Sequence, residues 1–367
     1  MGDILCIGGS HHPGFSYPDE NFADILRNHL KSPRIPAEAK DPDAGPAAMV
    51  REFGREGENA TAQAKLHREH VINAYRQMRQ AVLDFKPDFL LVWGDDQYEN
   101  FREDLIPPFC TFIMDEFVNK PWESNYSRAT NIWNEPKDTV RVSKSQPEAA
   151  KYLIRRLLEE GIPIPYSYKG HHHQGLAHAF LNTVNYLDYD RKGFNVPFVP
   201  FHVNCYGSSV VRNRGGDTLS TAGNEPDPPA PSPRVCYDVG AAVARILRDS
   251  PYRAVLMGSS SWSHAFLTKK HNFLWPDVEA DRARYEDLKS GDFRHWRDLN
   301  LAQIEESGQH ELLNWVCLAG AMDELGLKPT VIDYSETYIF NSSKCAIIAG
   351  PALAKSGKGK AAAVSAG

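Results

Sequence analysis

The chain has 367 residues, 42% of them hydrophobic and 24% charged, a balance that suits a globular protein with a large core. Its 41 basic and 47 acidic residues leave a net charge of −6, which argues against nucleic acid or an anionic membrane as the main partner. No apolar run approaches the roughly 18 residues that span a bilayer, and Met1-Gly2-Asp3 does not open a signal peptide. The six cysteines are scattered without a CxxC pair, so they read as reduced thiols of a soluble, cytoplasmic protein.

Residues 3–9 predict a buried strand that empties into Ser10-His11-His12-Pro13. Residues 21–57 are rich in Pro, Asp, Gly and Ala and read as helix fragments and loop. Apolar spacing and strong helix formers predict a long helix over 60–86, ended by Pro87. A second strand, 88–94, runs into Asp95-Asp96-Gln97-Tyr98, and 109–114 predicts another. Residues 115–145 read as loop, and 147–160 as an amphipathic helix stopped by Gly161. The run His171-His172-His173-Gln174 introduces a short helix over 176–187, and 196–204 is a strand that ends at Asn204. Residues 213–233 read as a mobile Gly/Pro/Ser/Asp-rich segment.

A helix over 236–249 then feeds a strand from Ala254 to Gly258, followed by Ser259-Ser260-Ser261-Trp262-Ser263-His264. Most of 276–326 reads as helix, and its last piece, 309–325, carries Glu311 in its first turn. Strands near 330–340 and 345–349 finish the fold, and 351–367 form a flexible tail. Strands alternating with helices predict a single large α/β domain over 1–350, with a mainly parallel central sheet flanked by helices on both faces.

Four predicted strand ends carry polar groups: Ser10-His11-His12, Asp95-Asp96-Gln97, Asn204, and Ser259 to His264. In a parallel sheet these loops share one edge, where open α/β sheets bind ligands. A histidine and a carboxylate there, joined by a carboxylate from a helix, could form a two-histidine-one-carboxylate site or a variant of it. Such a site leaves open positions on Fe(II) for a chelating substrate and dioxygen. Each residue also has a plainer role. His11 and His12 can cap the turn after the first strand, and Asp95 and Asp96 can be a helix N-cap pair. The triple histidine can be a solvated loop, with His178 at helical spacing as a candidate wall of a site. Glu311 is favoured in a first helical turn by the helix dipole alone.

Taken in order, Ser10-His11-His12-Pro13, Gly94 to Phe101 with Ile106-Pro107-Pro108-Phe109, Val199 to Asn204, Gly258 to His264, and Glu311-Leu312-Leu313-Asn314-Trp315 resemble one family. It is the class III extradiol ring-cleavage dioxygenases, of the type of the catalytic β-subunit of protocatechuate 4,5-dioxygenase. The resemblance runs from Ile4 to about Phe340, with 23–81 and 206–233 longer than in that type. It implies a non-haem Fe(II) enzyme that opens a catechol-like ring, dihydroxylated aromatic or heteroaromatic, with O2. On the matching positions it makes His11 and Glu311 iron ligands and His264 the acid–base histidine. The family's second histidine ligand falls on Gln97, preceded by Asp96, and another family histidine falls on Gln174.

A glutamine carbonyl is a weaker partner for Fe(II) than imidazole. Three outcomes therefore stay open: Gln97 ligates through its carbonyl, Asp96 or His12 takes the position, or the metal is held weakly or lost. His12, Asp96 and one of His171–His173, with His173 preferred, are candidates to position substrate or water. Two other readings remain. One is a metal-dependent hydrolase or other non-oxidative enzyme using His11, Asp96 and Glu311 around Zn or Mn; the other is a catalytically silent subunit of a dioxygenase. The implied partners are a small aromatic substrate and O2, with a homo-oligomer or a small partner subunit possible.

Overall fold

Alternation of side chains along the apolar strands divides them between two cores. Ile4 and Cys6, Phe89, Leu91 and Trp93, and Ala254 and Leu256 pack into one, while Leu5 and Ile7, Leu90 and Val92, and Val255 and Met257 pack into the other. A strand buried on both faces must lie inside a sheet covered by helices on each side. The computed structural model describes residues 2–123, 130–208 and 228–350. Most of the segment expected to be mobile (213–233), and all of the tail at 351–367, lie outside the described residues.

The elements in order are β1 (Ile4–Gly9), α1 (Asp24–Lys31), α2 (Ala47–Phe53), α3 (Ala60–Phe85), β2 (Phe89–Gly94), β3 (Phe109–Phe112), β4 (Glu116–Asn119) and β5 (Arg141–Lys144). They continue with α4 (Pro147–Glu159), β6 (Tyr166–Ser167), α5 (His178–Leu187), β7 (Phe198–Val203), α6 (Pro233–Arg248) and β8 (Ala254–Ser259). The last are α7 (Val278–Ser290), α8 (Leu301–Glu306), α9 (Leu312–Glu324), β9 (Thr330–Ser335) and β10 (Lys344–Ala349).

The large sheet has the order β6-β3-β7-β2-β8-β1-β10-β9. Its centre, β7-β2-β8-β1, is parallel throughout. The flanks turn antiparallel where β3 meets β7 and where β10 meets β1 and β9. Helices α4, α6 and α9 cover one face, and α3 and α5 the other. The fold is thus α/β with a mostly parallel mixed sheet between helices, as the alternation of elements predicted. No helix among the described residues is long and apolar enough to cross a membrane.

Two local expectations differ. Residues 115–145, read as loop, contain the antiparallel pair β4-β5. Every residue of β5 is at least partly exposed, so it lacks the apolar run that marks a strand. The helix expected from 309 begins at Leu312, which leaves Glu311 at its N-cap.

Helices α6 and α9 approach closely enough to need glycine on both sides. A Cβ on Gly240 would lie 1.8 Å from the Cys317 carbonyl oxygen, and one on Gly320 would lie 2.0 Å from that of Tyr237. Neither backbone can yield without shifting the helix that carries Glu311. Gly320→Ala is therefore expected to lower stability by about 1–3 kcal/mol or more, despite the better helix propensity of alanine, as read from urea unfolding.

Candidate functional site

The four central parallel strands are the four whose C-terminal ends carry the polar motifs, so the sheet delivers them to one rim. His11 lies two residues beyond β1, and its Nδ1 donates to the Ser259 carbonyl at 2.9 Å, at the end of neighbouring β8. That bond fixes the tautomer and directs an unprotonated Nε2 to two carboxylates. Glu311 Oε2 lies 3.5 Å away and Asp95 Oδ1, just past β2, lies 3.7 Å away. His264 repeats the device: its Nδ1 donates to the Trp262 carbonyl at 3.0 Å, and its Nε2 stands 3.5 Å from the same Glu311 oxygen.

Glu311 makes no capping bond to its own helix. Its Oε1 instead accepts a hydrogen bond from the Tyr206 hydroxyl. The start of α9 is fastened to the rim by several bonds. Ser260 Oγ donates to the Glu311 carbonyl at 2.8 Å, the Trp315 indole to the Ser260 carbonyl at 2.9 Å, and Asn314 to Asp95 Oδ1 at 3.2 Å.

The donor set suits a cation. Glu311 Oε2 and Asp95 Oδ2 are buried and have no hydrogen-bond partner among the described residues. Donors about 2.1 Å from one ion sit about 3 to 4.2 Å apart in an octahedral site, and the separations of 3.5 and 3.7 Å fall inside that window. One ligand atom each from His11, Asp95 and His178 all lie within 4.8 Å of one another. His178 opens α5, where its backbone N–H and its Nδ1 meet Glu99 Oε1 at 2.8 and 2.9 Å.

Burial sets the charges. It pushes His11 and His264 down to about 3, with a neighbouring histidine adding to the effect in each case. Both rings are neutral near pH 7. Burial also raises Asp95 to about 6, and holds Glu311 well above the usual carboxylate range with the Asp95 charge assisting. For His178 burial pulls downward, but the Glu99 carboxylate outweighs it and holds the imidazole at about 10.

The other residues expected at the site divide. Asp96 is committed to its own loop: Oδ1 accepts from the Glu99 and Phe101 amides at 2.9 and 3.3 Å, and Oδ2 from the Asn100 amide at 2.9 Å. No helix follows, so neither acid is the helix N-cap expected of the pair; Asp96 ties its loop, and Asp95 is the acid that faces His11. His12 caps the turn Pro13–Ser16, its Nδ1 accepting the Gly14 amide at 3.1 Å, while it also borders the cavity over the site. Gln97 reaches the carboxylate: its amide nitrogen is 2.8 Å from the Tyr206 hydroxyl and 3.4 Å from Glu311 Oε1. His173 lines the cavity, and His172, also on its wall, bonds Asp104 at 2.8 Å. Asn204 serves its own turn, accepting the Tyr206 amide at 3.3 Å. Sequence reasoning missed Asp95 as the facing acid, the Glu99–His178 pair and Tyr206. The spacing of His178 after the triple histidine was the one cue.

The cavity measures about 450 Å³, ordinary for a small-molecule site. His11, His264, Glu311, Gln97 and His178 line it together with the apolar Pro13, Ile25, Leu176, Leu181 and Phe266, and with Arg102 and Lys120.

Residues 227–342, which carry His264 and Glu311, match the family described as the catalytic LigB subunit of aromatic ring-opening dioxygenase. Three curated relatives are each named 2,3-dihydroxyphenylpropionate/2,3-dihydroxicinnamic acid 1,2-dioxygenase. The protein of Photorhabdus laumondii is 22% identical over 58% of this chain and 54% of its own length. That of Rhodococcus jostii is 26% identical over 57% and 52%, and that of a Rhodococcus species 27% identical over 52% and 48%. The chain thus spans about half the length of the curated relatives it matches. His11, Asp95, Gln97 and His178 lie outside the matched segment.

Tyr206 joins half-buried Gln97 to buried Glu311, so removing its hydroxyl leaves Glu311 Oε1 with only the long 3.4 Å contact to the Gln97 amide among the described residues. Tyr206→Phe is expected to cost about 1–3 kcal/mol in denaturant unfolding of the metal-free protein.

Proposed function

We propose that this protein is a non-haem Fe(II)-dependent dioxygenase that opens a catechol-like ring with O2. The observation that carries the reading is Glu311 Oε2, a buried carboxylate oxygen 3.5 Å from two neutral imidazoles and without a hydrogen bond among the described residues. Such an oxygen is costly to bury unless a cation meets it. The LigB-family match and the names of the relatives support ring opening as the use of that cation.

An Fe(II) ion bound there would supply a redox-active Lewis-acid centre for a vicinal diol and O2. The chain does the rest. His11 and Glu311 hold the centre, with their other atoms fixed by Ser259 and Tyr206. His264, neutral with Nε2 open to the cavity, accepts a proton from a substrate hydroxyl and returns it later in the reaction. The Trp262 carbonyl steadies the imidazolium through Nδ1. Pro13, Ile25, Leu181 and Phe266 flank a flat ring and keep water out. Arg102, whose buried Nε has no hydrogen bond among the described residues, faces the same cavity and suits a substrate carboxylate such as the relatives' names include.

A cluster with two carboxylates beside imidazoles also suits Zn or Mn, which supports a metal-dependent hydrolase as the second reading. Metal content of unsupplemented protein separates them. Protein loaded anaerobically with Fe(II) and given catecholic acids is expected to take up oxygen and form a yellow ring-opened product. His264→Gln is expected to lower kcat by about 100- to 10,000-fold with iron content retained, whereas Glu311→Gln loses iron. No oxygen uptake across a broad catechol panel by iron-loaded protein overturns the reading.

A further inference from the structure

We propose that His178, oriented by Glu99, supplies the second imidazole ligand of the metal centre, in the place that Gln97 leaves without one. The proposal deepens the dioxygenase reading and rests on it for the identity of the ion, though not for the site.

Gln97 is excluded as the donor by its surroundings. The Tyr206 hydroxyl has given its proton to Glu311 Oε1, so the side chain facing both oxygens must present N–H groups to them. Turning the Gln97 carbonyl toward the same pair would set a third acceptor against two oxygens whose one proton is already engaged. Gln97 is therefore a positioning residue, one that steers the Glu311 carboxylate so that Oε2 faces His11 and His264.

His178 meets the requirements of a ligand. Its ring lies edge-on to that of His11 with centroids 5.3 Å apart, and the pair shares the donor cluster with Asp95. Its Nδ1 is held by Glu99 Oε1, which accepts the backbone amide of the same residue as well. A carboxylate on one imidazole nitrogen is the usual outer partner of a metal-bound histidine, fixing the ring and raising the basicity of the other nitrogen. Glu99 is itself locked by the Gln97 amide on Oε2 at 3.0 Å. Two imidazoles and the Asp95 carboxylate thus converge from β1, α5 and β2, and Glu311 Oε2 approaches the same His11 Nε2 at 3.5 Å. That set restores the two-histidine count that the substitution at 97 removes.

The test is Co(II) binding by the full chain, followed by visible absorption and equilibrium dialysis without substrate. His178→Gly is expected to weaken binding by about 100-fold or more, Glu99→Gln by about 10- to 100-fold, and Gln97→Ala by less than about tenfold. Added imidazole is expected to restore the Co(II) spectrum of His178→Gly, which a purely structural role would not allow. Wild-type affinity in folded His178→Gly, or a larger loss in Gln97→Ala than in His178→Gly, overturns the proposal. Should His178→Gly fail to fold, Glu99→Gln carries the test, and unchanged affinity there overturns it. Oxygen uptake that survives at full rate in His178→Gly sinks this site and leaves the dioxygenase reading intact. Co(II) bound through His178 without turnover of any catechol does the reverse.

Discussion

The structure depends on a carboxylate kept from water beside two rings that carry no charge. Glu311 is almost wholly buried, and among the described residues only Tyr206 and Gln97 donate to its carboxylate, both on the side of one oxygen. An ionised carboxylate in that setting carries a penalty of several kcal/mol unless a positive charge offsets it. The protein's own answer without an ion is a raised proton affinity on Glu311 and Asp95, and on His178 beside them. A divalent cation removes the need for that proton, and so the same burial that disfavours the bare site favours the loaded one.

Holding such a group in place takes rigid support, and the fold provides it at the start of α9. The helix lies against α6 at a glycine-to-backbone contact, and its first turn bonds the end of β8 and the acid after β2. His11 is tied to β8 as well. The candidate ligand side chains are therefore fixed to one another through strand ends and a helix terminus rather than through free loops. This arrangement gives preorganised ligands whose rotamers are set by outer hydrogen bonds. Above them the cavity walls mix apolar side chains such as Ile25, Leu181 and Phe266 with polar ones and with the cationic Arg102 and Lys120.

Much of this was legible in the chain. The buried strands at 4–9, 89–94, 198–203 and 254–259 announced themselves as short apolar runs stopped by polar residues, and strands of that kind are parallel and central. His11, His264 and Glu311 were legible because strand-to-turn motifs carried two of them and a family pattern carried all three. The β4-β5 pair was hidden by its exposure. Asp95 and Asp96 were indistinguishable in sequence, because which of two adjacent acids caps a turn and which faces a histidine depends on backbone direction alone. Glu99 and His178 are 79 residues apart, and no periodicity links them.

What the amino-acid order determined by itself was the set of apolar runs, the α/β alternation they force, and the chemical types delivered to one rim. Those follow from burial and strand period, which are local properties of the chain. Which nitrogen of each histidine faces inward, which acid is free, and how Gln97 is occupied were decided only by tertiary contacts. Each of these turns on a hydrogen bond between segments far apart in the chain, and no local pattern encodes such a bond.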